Sequence, residues 1–250
     1  MGTMTNGPEA SKLEAEMAAA GAPCERLRAV RARMAQAAHD AARPPESARL
    51  LAVSKTFGAS AVRELAACGQ REFGENYLQE ALAKQAELAD LPLTWHFIGP
   101  IQSNKTRPIA EHFSWVHSVD RLKVAERLSA QRPPDLPPLQ VCIEVNVSGE
   151  ASKGGVAPGE VPALADAVAK LPGLRLRGLM AIPAPSEDPA AQRAAFRQVR
   201  AAYDDLVAAG HALDTLSMGM SGDLEAAIGE GATIVRVGTA LFGERTKKHA

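Results

Sequence analysis

"RLLAVSKTFGAS", Arg49 to Ser60, decides the architecture. An apolar, strand-like run ends at Ser54 and Lys55, and a short turn then leads toward a helical segment, the outline of a βα unit. For such a unit the main alternative to a barrel is an open, doubly wound nucleotide-binding sheet, whose first turn carries G-x-G-x-x-G. "SKTFGAS" lacks that spacing.

Seven more apolar runs follow: "REFGE", "TWHFIG", "SWVHSV", "LQVCIEVNV", "LRLRGLMAI", "LDTLSM" and "TIVRVG". Helical stretches lie between them; in the clearest, Phe196, Val199, Tyr203, Leu206 and Val207 share one apolar face. Eight strands with intervening helices in 250 residues predict a single α/β domain, a (β/α)8 TIM barrel. Residues 1–22 read as a disordered tail. Pro23 is expected in the first turn of an extra helix that ends near Asp40, before "ARPPES", and packs outside the barrel. The domain then spans 23–250, and the short stretch after the last strand leaves no second domain to expect.

Bulk properties narrow the function classes. A composition that is 46% hydrophobic with a net charge of −1 suits a globular protein and not a nucleic-acid binder, which shows a strongly basic face. "RLRAVRARM" (Arg26–Met34) is locally basic, but Leu27, Val30 and Met34 fall at helical spacing and assign the arginines to the solvated side. No run approaches the roughly 18 apolar residues of a membrane helix, and the start lacks a secretory signal pattern, so a cytoplasmic protein is expected. Cys24, Cys68 and Cys142, odd in number and widely spaced, suggest reduced core thiols. The six histidines show no metal-ligand spacing.

Barrels bind ligands at the C-terminal ends of their strands. Period-two alternation puts Leu51, Val53 and Lys55 on one face, so Lys55 stands at the mouth if that face points inward. There it is either a desolvated, nucleophilic amine able to form a Schiff base or a lysine snorkelling to water. In "TIVRVGT", Arg236 lies opposite Val235 and Val237 and needs an acceptor, on a ligand or on a carboxylate such as Glu144. His96 faces either a ligand or the core. The last two loops supply Ser217, Gly219, Ser221, Gly222, Gly238 and Thr239, hydroxyls and glycines where barrels often hold phosphate. A lysine for an aldehyde, an arginine for a ring nitrogen and a phosphate cradle together describe a site for pyridoxal 5'-phosphate (PLP).

"LLAVSKTFG", "FGENYLQE", "WHFIGPIQSNKTR", "LRGLMAIPAP", "LSMGMSGDLEAAI" and "VRVGTALFGER", in this order, resemble the pyridoxal phosphate homeostasis protein family, the YggS-like proteins also called proline synthetase co-transcribed homologues. The resemblance covers about Leu27 to Arg245. It implies an alanine racemase N-terminal-domain-like barrel with PLP on Lys55, Asn76 against the cofactor and Arg236 at the ring nitrogen. It also implies phosphate contacts from the "SMGMS" block (Ser217, Met218, Gly219, Ser221) and from Gly238 and Thr239, with Met180 completing the set. The implied role is intracellular: a PLP carrier or buffer that serves apo-forms of PLP enzymes or regulates amino-acid metabolism, expected to be a monomer. The alternative is a small PLP-dependent racemase or decarboxylase. Racemisation needs a second base, for which Tyr77 is the available tyrosine, and an arginine at the ring nitrogen weakens the electron sink. These two features favour a binder over an enzyme.

Overall fold

The computed structural model describes residues 8–150 and 153–243, with side chains from residue 22 onward. Among the described residues, eight parallel strands close into a barrel in sequence order: β1 Arg49–Val53, β2 Glu72–Glu75, β3 Thr94–Phe97, β4 Trp115–Val119, β5 Leu139–Glu144, β6 Leu174–Met180, β7 Thr215–Ser217 and β8 Ile234–Val237. β8 returns to β1, with Leu51 opposite Arg236, which closes the ring. All eight runs read as strands in the sequence form strands.

Around them lie α1 Pro8–Asp40, α2 Ala59–Ala67, α3 Leu78–Glu87, α4 Thr106–His112, α5 Leu122–Gln131, α6 Val161–Val168, α7 Pro189–Ala208, α8 Leu224–Gly229 and α9 Thr239–Phe242. No helix of the described residues is long and apolar enough to cross a membrane. The main core fills the space between strands and helices, where Leu50, Ala52, Phe73, Phe97, Val116, Val235 and Val237 meet Leu65, Ile109, Leu128, Phe196 and Val199. Each of the larger side chains contributes about 1.5–3 kcal/mol relative to exposure. Because Leu50 and Ala52 take this outer layer, strand alternation turns Leu51, Val53 and Lys55 inward. Trp115, Cys142 and Met180 form a separate cluster within the barrel.

Three expectations are corrected. Helix α1 starts at Pro8 and not at Pro23, which is buried inside it. The alanine- and glutamate-rich residues before Pro23 have high helix propensity, enough to carry the helix through the proline. The tail expected over 1–22 falls outside the described residues for its first seven positions. Cys24 and Cys68 are not free thiols: a disulfide with a Cα–Cα distance of 5.2 Å ties α1 to the end of α2. Their separation of 44 positions gave no hint of this proximity, and only Cys142 is a buried free thiol. Val207, expected on the apolar face of α7, is 44% exposed, at the edge of the stripe in the helix's last turn.

The arginines of α1 are also less passive than a solvated face implies. Arg26 Nε donates to Leu241 O at 2.6 Å, and Arg33 holds Glu225 and the Ser221 carbonyl. Leu27, Val30 and Met34 are buried as their spacing requires.

Candidate functional site

At the C-terminal ends of the strands, a cavity of about 240 Å³ is lined by Val53, Lys55, Asn76, Ile98, Ile182, Met220, Ser221, Gly222, Arg236, Gly238 and Thr239. That volume lies just below the range of roughly 300–1,000 Å³ typical of small-molecule sites and suits one small ligand. Six of the residues expected at the site share it: Lys55, Asn76, Ser221, Arg236, Gly238 and Thr239. Gly222, a candidate for the phosphate loop, joins them.

The approach of β2 and β3 fixes Asn76, since a Cβ on Gly99 would collide with the Asn76 backbone. The Asn76 Oδ1 is buried and has no hydrogen-bond partner. A buried amide oxygen in that state costs free energy unless a donor meets it, and this one belongs to a residue of the cavity wall.

Arg236, 4% exposed, is held from behind. Its Nη1 donates to Ser217 O at 2.6 Å and Ser217 Oγ at 2.8 Å, and its Nη2 donates to Ala181 O at 2.9 Å. Among the described residues it makes no ion pair, so Glu144 is not its partner; Asp223 and Glu144 act on it only through space. Burial pulls the guanidinium down to about 10, which leaves it charged at neutral pH. Burial, reinforced by Asp120, pushes the Glu144 carboxyl up to about 7.

Ser217 continues a chain into the barrel. His117 Nδ1 lies 2.7 Å from Ser217 Oγ, and His117 Nε2 lies 2.9 Å from His96 Nδ1. A guanidinium only donates, so Ser217 Oγ accepts from Arg236 and gives its own proton to His117. His117 Nε2–H then donates to His96, leaving one orphan, the buried Nε2 of His96. The reverse direction would strand both the Ser217 proton and the His96 lone pair. Burial holds both imidazoles well below the usual histidine range, so both are neutral. His96 stacks on Trp115 at 5.4 Å and is a core histidine, outside the cavity wall.

The remaining expected residues do not line the cavity. Ser217 acts through Arg236. Met218 packs into the outer core, and Met180 joins Trp115 and Cys142 inside the barrel. Gly219 takes φ +95°, where a side chain would also strike Ala227, and its carbonyl accepts from Arg236 N. Tyr77 precedes α3, 56% exposed and outside the wall. Ile98, Ile182 and Met220 went unforeseen; period-two alternation from His96 was the available signal for Ile98.

A larger cavity, about 580 Å³, lies between α1 and the starts of β1 and β2. Its Arg49 is already paired with Glu72 at 2.5 Å, so size alone does not identify a site. No group of three or more His, Cys, Asp or Glu among the described residues could hold a metal.

Comparison with known proteins agrees with the barrel fold. The alanine racemase N-terminal domain family matches residues 26–246. The chain is 70% identical over 221 residues to the pyridoxal phosphate homeostasis protein of Pseudomonas aeruginosa, covering 88% of this chain and 95% of that protein. It is 53% identical over 222 residues to the Escherichia coli K12 protein of the same name, with the same coverages. PipY of Synechococcus elongatus, solved with PLP bound, superposes with a TM-score of 0.78 at 42% identity, over 88% of this chain and all of that one. Alanine racemase from Corynebacterium glutamicum shares the fold, with a TM-score of 0.66 at 19% identity over 92% of this chain and 64% of that one.

Proposed function

The chain belongs to the pyridoxal phosphate homeostasis protein family, and from that premise we propose that it binds PLP in the 240 Å³ cavity as a Schiff base on Lys55. The observation that carries this reading is convergence: an inward lysine, a buried amide oxygen without a partner and a buried guanidinium share one small cavity with the hydroxyls of Ser221 and Thr239. When bound, the cofactor supplies an aldehyde that condenses with a primary amine, releasing one water.

This chain's own residues do the rest. Asn76 Oδ1 accepts a hydrogen bond from the ligand, and Arg236 donates to the ring nitrogen from a guanidinium fixed by Ser217 and Ala181. A permanent donor there disfavours protonation of the ring, which suits storage better than turnover. Ser221, Gly222, Gly238 and Thr239 face the phosphate. In this reading residues 23–250 act as one monomeric PLP-binding domain, a cytoplasmic carrier or buffer that supplies apo-forms of PLP enzymes. Tyr77, outside the cavity wall, is not positioned as a second base.

Titration with PLP, followed by imine absorbance, tests the reading. Lys55→Ala should abolish the absorbance and weaken binding at least about 100-fold, as loss of a covalent link requires. Unchanged absorbance in that variant would overturn it.

A further inference from the structure

Behind the wall that carries Lys55 lies a buried charge cluster that the proposed function leaves unexplained. Lys84, on α3, is 4% exposed, and its Nζ donates to Glu75 Oε1 at 2.7 Å, Glu80 Oε1 at 2.6 Å and the Ser54 carbonyl at 2.7 Å. Ser54 Oγ donates to the same Glu75 oxygen at 2.5 Å. Glu75 is fully buried, and burial pushes its carboxyl up while Lys84 and Ser54 pull it down. Glu80 also accepts from the Thr56 backbone N–H at 2.6 Å.

A surface ion pair would need none of this burial, and a hydrophobic replacement of similar volume often stabilises as well as a buried pair or better. The placement of the bonds offers a better account. The Ser54 carbonyl belongs to the peptide group before Lys55, and the Thr56 N–H belongs to the one after it. Both are tied to the same cluster, so the two peptide planes that set the direction of the Lys55 side chain are fixed from outside the barrel. Thr56 moreover sits at φ +72°, a conformation that β-branched residues rarely adopt and that persists only where surrounding contacts enforce it.

We propose that Lys84, with Glu75 and Glu80, is a positioning device for Lys55: it holds the strained Ser54–Lys55–Thr56 turn so that the lysine side chain projects into the cavity. The proposal rests on the reading of Lys55 as the PLP-bearing residue. It assigns these three residues no contact with the ligand, because none of Glu75, Glu80 and Lys84 lines the cavity.

Two ligands separate this role from general support. PLP needs a correctly aimed lysine, whereas 4'-deoxypyridoxine 5'-phosphate, which lacks the aldehyde, uses only the ring and phosphate contacts. The variants are Glu80→Ala, at a partly exposed position that tolerates truncation, and the double variant Lys84→Met/Glu75→Gln, which leaves no uncompensated buried charge; thermal melts confirm that each is folded. The wild type should bind PLP far more tightly than the analogue. In both variants that preference should fall about tenfold to a hundredfold, the range a displaced reacting group costs, while affinity for the analogue changes less than about threefold. Folded variants that keep the wild-type preference, or that lose affinity for both ligands equally, would overturn the positioning role. A wild type with no preference for PLP would instead overturn the assignment of Lys55, and the inference with it.

Discussion

The two ends of the barrel both carry arginines in a polar setting, yet they are built for different purposes. At the N-terminal end Arg49 pairs with Glu72, Arg177 pairs with Asp214 and Gln140, and the two guanidinium groups lie over the Trp115 ring at 5.3 and 4.9 Å. Both of these guanidinium groups have a carboxylate partner. At the C-terminal end Arg236 has backbone and hydroxyl acceptors but no carboxylate, and Asn76 Oδ1 beside it has no partner. The difference lies in how the cations are held: carboxylates match the arginines at the N-terminal end, while neutral acceptors hold Arg236 in the wall of the cavity.

Exchanging the two kinds of arginine for methionine gives the largest contrast. Arg236→Met should weaken PLP binding by about 100-fold or more, since it removes a charged hydrogen bond and leaves buried acceptors unpaired. Arg177→Met should leave binding within about threefold and lower Tm by a few degrees, the effect of losing a partly exposed pair and a cation–π contact together worth about 1–2 kcal/mol. Binding titrations and melts on both variants check this. A matched loss of affinity in the two would erase the distinction.

A smaller effect comes from the histidine chain that joins the two ends. His96 and His117 are neutral in the folded state because burial depresses their proton affinity. The unfolded chain, with ordinary histidines near 6.5, binds more protons below that pH, so the stability they contribute is fully present above about pH 6.5 and is lost as pH falls. Each contributes a slope of up to about 1.4 kcal/mol per pH unit. Glu144, raised to about 7, works in the opposite direction, favouring the folded state as pH falls. Comparison with a variant therefore isolates the histidines: His117→Gln should lose less Tm between pH 7 and 5.5 than the wild type. Equal losses would mean that His117 takes up protons alike in the folded and unfolded chain.

Much of this was legible in the sequence, for identifiable reasons. Strand alternation in "RLLAVSK" and "TIVRVG" put Lys55 on the face of Leu51 and Val53 and Arg236 opposite Val235 and Val237, and left open which face turns inward, which the packing of Leu50, Ala52, Val235 and Val237 against the helices decides. That the loops after β7 and β8 bring Ser221, Gly222, Gly238 and Thr239 to one cavity was legible because barrel topology dictates where they meet. The supporting layer was not. His96, His117, Ser217 and Arg236 come from four strands, and only closure of the barrel sets them in line. Lys84 reads as an ordinary helical lysine, although its spacing of three from Ala81 and six from Leu78 placed it on the buried face of α3. Met180 and Met218 were drawn into the expected site by their sequence blocks, but Met180 packs with Trp115 and Cys142 inside the barrel and Met218 packs in the outer core, so neither lines the cavity.

The central claim is that Lys55, at the open end, carries the cofactor. Borohydride reduction of the PLP-loaded protein, digestion and peptide mass mapping test it most directly. The pyridoxyl mass should fall on the peptide containing Lys55 and vanish in Lys55→Ala; the same mass on Lys84, Lys105 or Lys153 in the wild type would contradict it.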